Sequence, residues 1–199
     1  MQNKLIAEAI GTFTLALAVL ANLSMEAPFV PTPVVAGLVL ALFVYTIGAR
    51  SGCHINPAVT LGLWSINKIK TNEAVSYIIA QIIGALVAFG LASTLLGNAE
   101  MTLGMAPESM TVFIAEAVGT ILFTFGIAAV VSGKVRDDMS GIVIGGSLLL
   151  GILIAVGLGS AGILNPAVAL SLGSLNLSYA LGSIIGAMLG MNLYRRFIA

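Results

Sequence analysis

The tripeptide Asn-Pro-Ala occurs twice in this chain, as Asn56-Pro57-Ala58 and Asn165-Pro166-Ala167, and each copy opens an apolar segment too short to cross a bilayer. A helix from Pro57 to about Asn67 rises roughly 15 Å, half of a hydrocarbon core. Asparagine is a strong helix N-cap and proline is favoured at the first helical position, so each tripeptide is first of all a helix start. That alone leaves unexplained why two such stubs sit at bilayer depth. Irregular backbone is tolerated there only when protein covers it or it lines a water-filled cavity. Two half-spans therefore imply a pore.

The rest of the chain supplies the membrane setting. It is 59% hydrophobic and 8% charged, with a mean hydropathy of +1.10, too little polar surface to coat a soluble globule. Six apolar stretches, near residues 4–23, 31–50, 72–96, 111–132, 140–159 and 177–197, reach the roughly twenty residues that a spanning helix needs. No segment remains for a separate soluble domain. The first stretch is expected to be retained and not cleaved as a signal, since it carries Glu8 and recurs near residues 115–130.

With six spans the connecting segments alternate sides, and Lys4, Arg50, Lys68, Lys70, Lys134, Arg136, Arg195 and Arg196 all fall on one side. The other side carries Glu26, Glu100 and Glu108 and no base. The positive-inside rule then puts both termini in the cytoplasm of an integral protein of the cell (inner) membrane. No basic cluster suits a nucleic acid, and the single Cys53 rules out an intrachain disulfide. No metal-ligand spacing, phosphate loop or nucleophile–base set appears, so neither a cofactor nor enzymatic activity is expected.

The chain is a duplication. Ala7-Glu8-Ala9-Ile10-Gly11-Thr12 in the first span is answered by Ala115-Glu116-Ala117-Val118-Gly119-Thr120 in the fourth, at the spacing of the two tripeptides to within one residue. Ile82-Ile83-Gly84-Ala85 and Ile184-Ile185-Gly186-Ala187 repeat at a shorter spacing. One domain over residues 1–199 thus contains repeats at about 1–98 and 108–199, each of span, span, half-span, span. Three crossings are odd, so the second repeat is inverted and the half-helices approach from opposite faces, amino ends together near the midplane. Ala80, Gly84, Ala88 and Ala92, with Gly182, Gly186 and Gly190, give the third and sixth spans small-residue packing faces.

Two helix amino ends aimed at one place bring about half a positive charge each, and Asn56 and Asn165 add amide donors, an arrangement that repels cations and orients a passing oxygen. The segments leading in, residues 51–55 and 160–164, are expected to run extended with carbonyls facing the lumen, Gly52 and Gly162 permitting close approach. Glu8 and Glu116 sit at equivalent places with no basic partner in the membrane, so acceptance of hydrogen bonds from loop amides is preferred over a proton relay. His54, just ahead of the first tripeptide, has no histidine counterpart in the second repeat and reads as a hydrogen-bonded support.

At these residues the chain resembles the aquaporin superfamily, the major intrinsic proteins, whose signatures include Ser-Gly-x-His-x-Asn-Pro-Ala-Val-Thr, here Ser51 through Thr60, and the Ala-Glu-x-x-Gly-Thr of spans one and four. The resemblance covers nearly the whole chain. It implies an all-α membrane fold of six spans and two re-entrant half-helices, a pore in every subunit of a homotetramer, and passive passage of water or small uncharged solutes. Most members carry arginine after the second tripeptide as part of an outer filter; this chain has Val168. Spacing from the tripeptides gives Ala36, Gly162 and either Ile152 or Leu153 as the other filter positions. A ring this small and aliphatic makes a strict water channel less expected than passage of glycerol-like polyols, urea, dissolved gases or neutral metalloid hydroxides such as arsenous acid. The alternatives are a strict water channel, a secondary transporter using Glu8 and Glu116, and a noncatalytic adhesion or scaffold role.

Overall fold

The computed structural model describes residues 1–96 and 107–199; Glu100 lies outside the described residues. The described chain is all-α, with helices α1 (Gln2–Leu23), α2 (Thr32–Ser51), α3 (Pro57–Ser65), α4 (Thr71–Leu96), α5 (Met110–Val131), α6 (Ser140–Gly157), α7 (Pro166–Ser171) and α8 (Leu177–Phe197). Six of them are long and apolar enough to span a membrane. The other two, α3 and α7, are the half-helices of an inverted repeat.

Local chemistry explains the boundaries. Pro33 lies in the first turn of α2, and Gly52 ends it in the left-handed region at φ 89°, its N–H bonded to the Gly48 carbonyl. The Ser109 hydroxyl caps α5 and the Asn176 side chain caps α8. The first half-helix stops two residues short of the expected Asn67, and the second is shorter still. Asn67, at φ 60°, and Gly173, at φ 65°, turn left-handed, and the next amides, on Lys68 and Ser174, close back on the Leu63 and Ala169 carbonyls at 2.9 Å each.

Helices pair identically in the two repeats: α1 lies along α4 as α5 lies along α8. A β-carbon on Gly84 would collide with the Ala9 carbonyl, and one on Gly186 with the Ala117 carbonyl, so these glycines let backbones touch where lipid provides no hydrophobic drive between helices. Gly84→Ala is expected to destabilise the protein by about 1–3 kcal/mol through overpacking. Gly90→Ala, on the same helix with open space around it, is expected to leave stability unchanged or raise it by up to about 1 kcal/mol, since alanine is the better helix former; thermal unfolding in detergent distinguishes the two.

The ends of the spans sort onto two faces. On one, Lys4 pairs with Glu73 at 2.8 Å, Lys68 Nζ donates to the Val131 carbonyl at 2.8 Å and Arg195 donates to the Ile66 carbonyl at 3.2 Å. On the other, Asn22 donates to Thr32 at 2.9 Å and Ser178 donates to the Ser109 carbonyl at 2.9 Å.

Candidate functional site: two half-helix tips in a lumen

Each tip is built by its own asparagine. Asn56 and Asn165 have extended backbone and hold their side-chain oxygens over the first turn, accepting from the Ala58 amide at 2.8 Å and the Ala167 amide at 3.0 Å. This fixes which end of each side-chain amide is nitrogen. The two nitrogens then cross over: Asn56 Nδ2 donates to the Leu164 carbonyl at 2.8 Å, and Asn165 Nδ2 to the Ile55 carbonyl at 3.0 Å. The crossed pair locks the tips side by side. One hydrogen remains on each amide, and both asparagines line a common cavity.

Behind the tips lie the carboxylates, both fully buried. Glu8 accepts from the Ser51 hydroxyl at 2.6 Å, the His54 amide at 2.9 Å, the Ile55 amide at 2.6 Å and the Gln81 side chain at 2.8 Å. Glu116 accepts from the Ser160 hydroxyl, and from the Ile163 and Leu164 amides at 2.9 and 2.7 Å. Each serine also accepts the next loop amide, on Cys53 or Gly162, at 3.1 Å. Three successive N–H groups in each loop are thereby satisfied from one side.

That pattern corrects the expectation of extended loops. In a strand successive N–H groups point to opposite sides, so an extended segment cannot direct three of them at one carboxylate–serine pair. The chain instead turns left-handed at Cys53 (φ 51°), directly after the helix-ending Gly52, and again at Ile55 (φ 40°), matched by Gly162 (φ 68°) and Leu164 (φ 52°). Such a conformation costs a non-glycine residue roughly 1–2 kcal/mol, offset here by charge-assisted hydrogen bonds. With the amides turned to the support side, the Gly52, Cys53, His54, Ala161, Gly162 and Ile163 carbonyls receive no hydrogen bond among the described residues. They are free for a passing donor.

His54 is buried with Nδ1 3.1 Å from Thr60 Oγ1 and its ring edge-on to Tyr77, centroids 5.0 Å apart. Tyr77 in turn donates to the Ser51 carbonyl at 2.8 Å. Ser51, Thr60, Tyr77, Gln81 and Ser160 are thus support residues to which the sequence alone assigned no such role. Ser51 and Ser160 were recoverable from the repeat, since they hold equivalent places. Gln81 was marked only by being an amide in the middle of an apolar span.

Two cavities flank the tips. One, of about 450 Å³, lies away from the basic face; Ala36, Ile152, Gly162 and Val168 line it, together with Leu15, Val156 and Leu172. Leu153, the other span-five candidate, is 49% exposed on the outside of the helix bundle and does not line it; one residue along a helix rotates a side chain by about 100°. The second cavity, of about 660 Å³, opens on the basic face beside Lys4, Lys68 and Glu73, with Cys53 in its wall.

Comparison with known proteins identifies the family and the fold. The family model described as "Major intrinsic protein" matches residues 1–194. Nodulin-26 of Glycine max is 32% identical over 96% of this chain and 76% of its own length. Glycerol uptake facilitator protein-like 6 of Lactiplantibacillus plantarum is 36% identical over 83% of this chain and 80% of its own. In fold, the chain is similar to the aquaglyceroporin from Plasmodium falciparum, with a TM-score of 0.78 at 24% identity over 98% of this chain and 96% of that one. The chain belongs to the major intrinsic protein family. It is a multi-pass membrane protein of a channel family and not an enzyme.

Proposed function

We propose that this protein is a passive conduit for small uncharged solutes, namely glycerol-like polyols, neutral metalloid hydroxides such as arsenous acid, or dissolved gases, and for water. The observation that carries this reading is the chemistry of the wall leading to the tips. Ala36, Ile152, Gly162 and Val168 form a ring with no charge and no aromatic group, so it strips little hydration selectively and admits bodies wider than water. A glycerol uptake facilitator-like protein among the relatives points the same way. Glu8 and Glu116 are fully engaged as acceptors for the loops, which argues against a proton relay of the kind a coupled transporter needs. The single channel domain with its two repeats acts in a homotetramer in the cell's inner membrane, termini in the cytoplasm, as the basic face favours.

Stopped-flow light scattering on proteoliposomes, comparing water, glycerol, urea and arsenite in one preparation, tests the reading. The wild type is expected to pass glycerol well above protein-free vesicles. Val168→Arg is expected to cut glycerol flux by about tenfold or more, a barrier rise of about 1.4 kcal/mol. Wild-type vesicles that pass water alone would instead establish a strict water channel.

A further inference from the structure

We propose that the size limit of the conduit is set at an inner neck formed by Leu40, His54 and Phe123, and not at the ring around Val168. This rests on the conduit reading above and adds where along the conduit discrimination occurs. Leu40, His54 and Phe123 line both cavities, whereas Ala36, Ile152, Gly162 and Val168 line only the one away from the basic face. The open volume therefore runs inward from Leu23 and Thr32 at its mouth, past the ring, to the asparagines, and ends at the three shared residues. The second cavity begins at the same three. The two cavities have only these three lining residues in common, one helical turn beyond Ala36 toward the basic face, and that junction is where the neck is placed.

The neck is braced on two sides. Phe123 is 2% exposed, and its β-carbon lies 3.2 Å from where a β-carbon on Gly151 would sit. Gly119 and Gly151 bring α5 and α6 together so closely that a β-carbon on either would meet the other's carbonyl. The backbone behind the Phe123 β-carbon therefore has no room to retreat. Opposite it, His54 is held by Thr60 and by the Tyr77 ring. Its Nε2 has no hydrogen bond among the described residues. A solute at the neck meets two apolar side chains and one imidazole edge, so its width is read against the phenyl ring and its orientation by a single side-chain hydrogen-bonding atom.

A purely structural role for Phe123 predicts a different pattern from a sizing role. A core aromatic is expected to affect stability and to slow all solutes equally when replaced; a sizing residue changes the order of solutes. The test is the flux of urea, glycerol, erythritol and xylitol through proteoliposomes containing wild type, Phe123→Ala, Phe123→Leu or Val168→Ala, each normalised to its own urea flux. Phe123→Ala is expected to raise the erythritol-to-urea ratio by about fivefold or more, roughly 1 kcal/mol of barrier, with Phe123→Leu intermediate and Val168→Ala close to wild type. Phe123→Leu keeps most of the buried volume, so it reads out the neck even where alanine prevents folding. A conducting wild type whose ratios are unmoved by both Phe123 variants, or moved by Val168→Ala instead, would overturn the neck and leave the conduit intact. A wild type no faster than protein-free vesicles for every solute would overturn both.

Discussion

Glu116→Ala is expected to cost this protein more stability than any other single side-chain truncation near the tips. The carboxylate accepts the Ser160 hydroxyl and the Ile163 and Leu164 amides, all fully or nearly buried. Removing it orphans two backbone donors that have no water to turn to, at about 1–3 kcal/mol for each unsatisfied group. It also removes what offsets the left-handed backbone at Leu164, whose carbonyl anchors Asn56 of the other repeat. The damage therefore spreads from one loop to both tips. A fall in detergent melting temperature of roughly 10 °C or more follows, taking about 2–4 °C per kcal/mol for a chain of this size, together with loss of solute flux. Glu8→Ala is expected to be milder: Gln81 donates to the same carboxylate oxygen that accepts the Ile55 N–H, and its own amide oxygen has no partner among the described residues, so a rotation of that amide brings a substitute acceptor toward the vacated place. Equal and small shifts for both variants would remove the carboxylates from the account of what shapes the loops.

The membrane fold was legible because lipid enforces a simple code. Span boundaries followed from apolar run length, and the observed Thr32–Ser51 and Leu177–Phe197 lie within one residue of the runs near 31–50 and 177–197. The tripeptides marked both half-helix starts, since N-cap asparagine followed by proline has one local meaning. Their ends were less legible. Asn67 and Gly173 stop the helices by entering the left-handed region; both residue types favour that place, but with Leu175 and Leu177 continuing the apolar run past Gly173 and Ser174 the signal is weaker than the paired asparagine and proline at the starts. The loop conformation was misread for a related reason: left-handed backbone is imposed by Glu8 and Glu116 from distant helices, and Cys53, Ile55 and Leu164 have no intrinsic preference for it. The neck was invisible because Leu40 and Phe123 are apolar residues in apolar helices. Nothing in composition separates a residue that faces the lumen from one that faces lipid, as the neighbours Ile152 and Leu153 illustrate.

Asn165→Asp is expected to turn a cation-tight pore into a leaky one. The substitution keeps an oxygen over the first turn of α7 to accept from Ala167 and Val168, so the cap survives. It replaces the donor to the Ile55 carbonyl, 3.0 Å away, with a second acceptor, which unlocks the crossed pair. More important, it places one negative charge where the two tips each contribute about half a positive one, cancelling the field that opposes cations at the midplane. Without an arginine after the second tripeptide, no charged side chain of the ring shares that task. Proteoliposomes loaded with a pH-sensitive dye and polarised by a potassium gradient are expected to show wild-type proton entry at the level of protein-free vesicles, and entry through Asn165→Asp faster by about tenfold or more, a barrier lowered by about 1.4 kcal/mol. Asn165→Ala separates the two causes: it loses the crossed hydrogen bond without adding charge, so its leak is expected to fall well below that of the aspartate variant. An aspartate variant that still passes glycerol and stays proton-tight would move the exclusion barrier away from the tips. The neck would be the remaining place for it, because Leu40 and Phe123 dehydrate a cation there and only His54 Nε2 offers it a side-chain ligand.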